Sequence, residues 1–171
     1  MLDHRTPALA AAVVALVCTL AGPAHGGPEE DAVEAVIRGL QSDWNAADMT
    51  AYLDAYGKGD DMRLVYGKTW LAGWDAVDRM FRETWPDEHR MGKFTIDAME
   101  VRLLTAEVAV ATGSFEHVFP HETIRGAFTH VLEKTPDGSW EIEHEHTSRG
   151  ETIVHEEALH DAGHGSADED R

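Results

Sequence analysis

Three histidines in the second half of the chain, His130, His144 and His146, come nearest by type and spacing to a chemical constellation. His144 and His146 stand two residues apart, which on a strand puts both on one face. The intervening Thr135-Pro136-Asp137-Gly138-Ser139 suits a three-residue hairpin turn, with proline opening it and glycine in the left-handed position. If Thr135 faces Ser139, then Leu132 faces Ile142, His130 faces His144, and Phe128 faces His146. Glu141, Glu143 and Glu145 alternate with Trp140, Ile142, His144 and His146, and three neighbouring carboxylates do not share a dry interior. The acids are therefore expected in water. The three histidines are expected on the concave side with Phe128, Leu132, Trp140 and Ile142.

Such a cluster has the ligand types and the open fourth position that suit Zn²⁺. It equally suits ordinary polar lining at a pocket mouth. Without a metal, His146 or His144 could act as general base or acid, with a hydroxyl from Tyr52, Tyr56 or Tyr66 meeting a developing oxyanion. A tyrosine on an apolar stripe also serves as a core aromatic whose hydroxyl finds a partner. Of the indoles, Trp44, Trp74 and Trp140 are candidate pocket walls, together with Tyr52, Tyr66, Phe128 and His130, although core packing accounts for tryptophan at helical spacing as well. His155, His160 and His164 offer a second, weaker cation site among carboxylates, or simply a solvated acidic tail. G-x-S-x-G, a phosphate-cradling glycine loop and H-E-x-x-H are all absent from the sequence.

The elements that must position these residues change period midway. Pro28-Glu29-Glu30-Asp31 opens a helix, and Val33, Val36, Ile37, Leu40 and Trp44 recur along one face of it. Asp48 caps a second, short helix carrying Met49, Tyr52, Leu53 and Tyr56, which Gly57 ends. A short strand is expected over 61–66, with 69–71 continuing or pairing with it. A third helix follows Gly73, with Trp74, Val77, Met80, Phe81 and Trp85 inward and Pro86 as its stop. Long strands are then expected over 93–104, 107–119, 123–134 and 139–148, the first bent by a bulge near Ala98 where its inward phase changes. Helices followed by a bent meander predict an α+β fold, with the helices closing the concave side of one sheet.

Residues 1–26 read as a secretory signal, with Arg5, an apolar stretch from Ala8 to Ala21, and small residues before a cleavage point after Gly26. Cys18, the only cysteine, falls within that stretch, so a mature chain would have no disulfide. Residues 27–148 would form one domain, and 149–171 a mobile acidic tail. The expected location is the periplasm or the exterior, with no membrane segment in the mature form. A formal charge of −18 makes nucleic acid and anionic surfaces poor partners.

Trp44-Asn45-Ala46-Ala47-Asp48-Met49, Tyr66-Gly67 before Gly73-Trp74, Gly126-Ala127-Phe128-Thr129-His130-Val131-Leu132 and Trp140 to Ser148 together resemble the SnoaL-like branch of the nuclear transport factor 2-like superfamily. The resemblance implies a cone: three helices closing a strongly curved antiparallel sheet, a cavity open at one end, and a homodimer formed through the sheet. A small apolar or amphipathic ligand is expected, and no cofactor, with Zn²⁺ at the three histidines as the alternative. Asp48 matches the acid after the family's Trp-Asn motif, a helix cap first and a catalytic group second. His146 matches a histidine pointing into the cavity from the last strand, and His130 departs from an expected aliphatic residue. The superfamily spans isomerases, dehydratases, hydrolases and non-catalytic binding or association modules, so the fold does not name the reaction.

Overall fold

The computed structural model describes residues 26–155, so residues 1–25 of the expected signal segment and the distal tail with His160 and His164 lie outside the described residues. Helix α1 runs Pro28–Asn45 and α2 Met49–Asp54; strands β1, Arg63–Tyr66, and β2, Thr69–Ala72, form a hairpin before α3, Trp74–Thr84. A single turn, α4 (Glu88–Met91), was not expected; Asp87 caps it by accepting the Arg90 amide. The long strands are β3 (Lys93–Leu103), β4 (Val108–Val118), β5 (Glu122–Lys134) and β6 (Trp140–Val154).

All six strands form one sheet in the order β2-β1-β6-β5-β4-β3. β3 to β6 make the expected meander, while β1 pairs with β6 in parallel, a long-range contact that no local pattern announces. The bulge expected near Ala98 falls at Asp97, between the pairs Ile96↔Phe115 and Ala98↔Ser114. Curvature also depends on two glycines. A Cβ at Gly113 would strike the Phe128 ring and the Ala98 carbonyl, and one at Gly126 would strike the Phe115 ring. Each glycine lets an aromatic ring lie flat over a strand on the concave side.

The core lies between that concave side and the helices. Val33, Ile37, Leu40 and Trp44 of α1, Tyr52 and Leu53 of α2, and Val77 and Phe81 of α3 meet Ala109, Ala111, Phe115, Phe128, Leu132 and Ile142 of the sheet. The Trp-Asn pair at the end of α1 has a definite task. Asn45 donates to the Phe94 carbonyl (2.7 Å) and accepts the Phe94 amide (2.9 Å), as a paired strand would, while Gln41 accepts the Ile96 amide (2.7 Å). The edge strand β3 is thus bound to α1. Trp44 donates through Nε1 to the Met91 carbonyl at 2.8 Å.

Two expectations about the last strand are corrected. β6 continues to Val154, with 151–154 pairing with 122–125, so the residues just after Ser148 belong to the sheet rather than to a tail. The hairpin register holds at Leu132↔Ile142 and then shifts: Glu143 is an extra residue, and the next pairs are Val131↔His144, His130↔Glu145 and Thr129↔His146. His130 therefore faces Glu145 rather than His144, and Phe128 faces Thr147 rather than His146.

Candidate functional site

The bulge at Glu143 decides which side chains of β6 enter the concave side. Glu143 and His144 both turn to the outer face, so Glu145 and Thr147 turn inward, while His146 is exposed. The expected alternation had acids in water and histidines inside. Beyond the bulge it is inverted. His130, His144 and His146 do not converge, and among the described residues no group of three or more His, Cys, Asp or Glu side chains is placed to hold a metal ion.

The concave side encloses a cavity with about 60 Å³ of room for the centres of water-sized spheres. One water-sized sphere itself fills roughly 10–15 Å³, and a region of about 60 Å³ open to its centre is larger still, so this space admits a small molecule. α1 contributes Ile37, Leu40 and Trp44; α2 Tyr52; α3 Met80 and Phe81, with Trp85 just after it; and β1 Leu64 and Tyr66. The sheet contributes Phe94, Ile96, Phe115, His117, Ile124, Phe128, His130, Glu145 and Thr147. Glu145 is the only lining residue among those described that carries a carboxylate, and no lysine or arginine is among them.

Glu145 is 5% exposed. A carboxylate removed from water without partners costs several kcal/mol. Here each oxygen has a donor: Tyr56 Oη to Oε2 at 2.6 Å, and Thr147 Oγ1 to Oε1 at 2.9 Å. Tyr56 Oη also lies 3.1 Å from Tyr52 Oη. One hydroxyl has one proton, and the shorter, charge-assisted bond claims that of Tyr56, so Tyr52 donates to Tyr56. The result is a chain of donors, Tyr52 to Tyr56 to Glu145, running from α2 into the last strand. Burial, followed by the charge of Glu145, pushes both phenols well above their ordinary range, which keeps their protons in place.

His130 faces Glu145 across the ladder, is 6% exposed, and stacks on Phe128 with centroids 4.9 Å apart. Its Nδ1 is sealed from solvent without a hydrogen-bond partner. Burial pushes its pKa below the ordinary value, with the charge of Glu145 opposing. His117, also on the cavity wall, is lowered by burial and hydrogen-bonds through Nε2 to the Met91 carbonyl that Trp44 also engages.

Of the residues singled out from the sequence, Trp44, Tyr52, Tyr66, Phe128 and His130 line the cavity. Tyr56 is fully buried behind the lining and meets it through Glu145 and Tyr52. Asp48 is an exposed cap on α2, accepting the Ala51 amide at 2.9 Å. Trp74 lies outside the cavity under the Lys58 ammonium, 4.4 Å from the ring centroid. Trp140 is buried with Nε1 donating to Glu29 at 3.1 Å. His155 contacts Thr123 and the Pro120 carbonyl where β6 ends beside the start of β5. Sequence reasoning missed Glu145, Thr147 and His117. The available signal was the pair Tyr52 and Tyr56 on one expected apolar stripe, two hydroxyls that needed an acceptor inside, although α2 ends at Asp54 and Tyr56 bridges to Ile142.

The family model described as SnoaL-like domain matches residues 33–150. Among solved structures, the chain is similar to a nuclear transport factor 2-like protein of unknown function from Shewanella oneidensis, at 25% identity and TM-score 0.65, covering 69% of this chain and 97% of that one. A ketosteroid isomerase-like protein from Erwinia carotovora atroseptica matches at 20% identity and TM-score 0.62, over 74% of this chain and 99% of the other. A protein provisionally assigned as a scytalone dehydratase, from Novosphingobium aromaticivorans, matches at 12% identity and TM-score 0.62, over 74% and 87%. No curated protein gives a significant match.

Proposed function

The chain belongs to the SnoaL-like domain family, and on that premise we propose that it binds a small, largely apolar molecule in the concave cavity and performs acid/base chemistry on it with Glu145 as proton acceptor. The observation that carries this reading is Glu145 itself. It is a buried carboxylate in an otherwise aromatic and aliphatic cavity, held by a hydroxyl on each oxygen. A carboxylate offers about four lone-pair sites, and the two hydroxyls occupy only part of that capacity. In the reaction, Glu145 takes a proton from a ligand carbon or heteroatom, the bonding pair passes into the ligand's own conjugated system, and the proton returns at a second position. The protonated Glu145 carboxyl itself returns the proton, with His130 opposite as a neutral ring. Tyr56 and Thr147 position the carboxylate. The reaction so drawn is of isomerase type, with Glu145 as the base in place of the histidines expected on β6.

The wider reading keeps export after cleavage of residues 1–26, a periplasmic or extracellular location, and a homodimer through the sheet. No resident cofactor enters the reaction as drawn. To test it, a library of small cyclic ketones, alcohols and amines would be screened by thermal shift, and the hits incubated with protein in D₂O. Deuterium uptake by a bound ligand should be catalysed by the wild type and fall at least about a hundredfold in Glu145→Gln. Hits that bind without any difference in exchange between the two proteins would leave a binding module and remove the base.

A further inference from the structure

We propose that the ligand carries a positive charge, so that the cavity is a site for a small organic cation, an ammonium or similar nitrogen on an apolar body. This rests on the reading of the cavity as the ligand site and goes beyond it in naming the ligand's chemistry. Three observations converge. First, the described lining residues contain one carboxylate and no lysine or arginine, and the direct partners of Glu145 are the neutral hydroxyls of Tyr56 and Thr147. Its charge is solvated inside the protein without being neutralised. An anionic ligand would meet that charge in an apolar enclosure, where repulsion is poorly screened. A neutral ligand would leave it uncompensated, and a cation completes it.

Second, the rest of the wall is unusually aromatic. Trp44, Tyr52, Phe81 and Trp85 cluster on the helical side with centroid separations of 5.1–5.4 Å, and Tyr66 adds its ring 5.8 Å from Trp85. Aromatic rings attract cations through their quadrupoles while still packing against hydrocarbon, which is the pairing an amine on an apolar body requires. Third, the formal charge of −18 gives a field that gathers cations and repels anions before any contact is made. His130 fits the same logic. Burial holds it below its ordinary pKa, so it opposes Glu145 as a neutral ring rather than as a competing cation.

The experiment compares three probes of one shape on the full chain by isothermal titration at neutral pH: benzylamine, benzyl alcohol and benzoate. Benzylamine, present as the ammonium, should bind roughly ten- to a hundredfold more tightly than benzyl alcohol, and benzoate should not bind measurably. In Glu145→Gln the preference for the amine should collapse to within about threefold. His144→Ala, on the outer face away from the cavity, should keep the wild-type preference. If benzyl alcohol equals or exceeds benzylamine in the wild type, the inference is wrong while the cavity reading survives. If none of the three binds, the inference and the cavity reading fall together. Because the wild-type ratio decides by itself, a poorly folded Glu145→Gln protein does not rescue the proposal.

Discussion

Glu143 and Glu145 stand two residues apart on one strand and on opposite faces of one sheet. On the outer face, Glu143 lies against Gly57 and near Glu133, Glu141 and Asp61; partial burial first, and then those like charges, raise its pKa. On the inner face, Glu145 is almost fully buried, yet hydroxyls from Tyr56 and Thr147 hold it. The two carboxylates differ in the donors that reach them: Tyr56, just after α2, and Thr147 of β6 offer their hydroxyls on the inner face.

The sharpest way to break this contrast is to remove the inner donor. Tyr56→Phe leaves Oε2 of a buried carboxylate without its hydroxyl and is expected to cost about 1.5–3 kcal/mol in urea unfolding. An unchanged midpoint would mean that Glu145 is solvated by other means. Acid should then separate the faces by sign. The folded state holds His130 below its ordinary value of 6.5, so the stability contributed by its neutral form is present above that pH and is lost as pH falls toward the depressed value. Glu143 is raised above 4.5, so its protonated form is favoured in the fold; this contribution is present below 4.5 and is lost as pH rises through the raised value. Accordingly His130→Leu should flatten the loss of melting temperature between pH 7 and 5, while Glu143→Gln should raise stability slightly at pH 7, within about 0.5 kcal/mol, and not at pH 4. Parallel pH profiles for wild type and both variants would refute the assignment of sign to face.

Deleting Glu143 sharpens the comparison differently. Without the extra residue, Leu132↔Ile142, Val131↔His144 and His130↔Glu145 become consecutive pairs of a regular ladder. Glu145 should stay inside and ligand response should persist, as judged by thermal shift. The smallest effect belongs to His144→Ala and His146→Ala on the outer face, each within about 0.5 kcal/mol of wild type by chemical unfolding.

Much of this architecture is legible in the residues. Pro28 and the acids after it, the stripe through Trp44, the Asp48 cap, the turn at Thr135–Ser139 and the bulge in β3 all follow from local chemistry, and the structure has them at or beside their expected positions. The candidate site was less legible, for one physical reason. Between Glu141 and His146 the sequence alternates acid with non-acid without interruption, so nothing in its period reveals that one residue is extra. The argument that carboxylates avoid a dry interior held for Glu141 and Glu143. It failed for Glu145 because the donor that changes the balance, Tyr56, lies 89 residues away. The same distance hid the parallel pairing of β1 with β6, which tertiary packing sets rather than any local preference.

That pairing also fixes an order of events. β6 is the last strand of the sheet in the chain but stands in its middle, between β5 and β1. While a ribosome is still making it, the β1–β2 hairpin has no neighbour on its other side and the meander ends in an open edge. Only when residues 140–154 have emerged can the two parts of the sheet join, and the strand that joins them brings Glu145 with it. Closure over so long a stretch of chain is slow compared with helix formation. The carboxylate thus arrives after most of the aromatic wall, and a nascent chain halted before Glu145 would hold much of an apolar cup with no charge at its base.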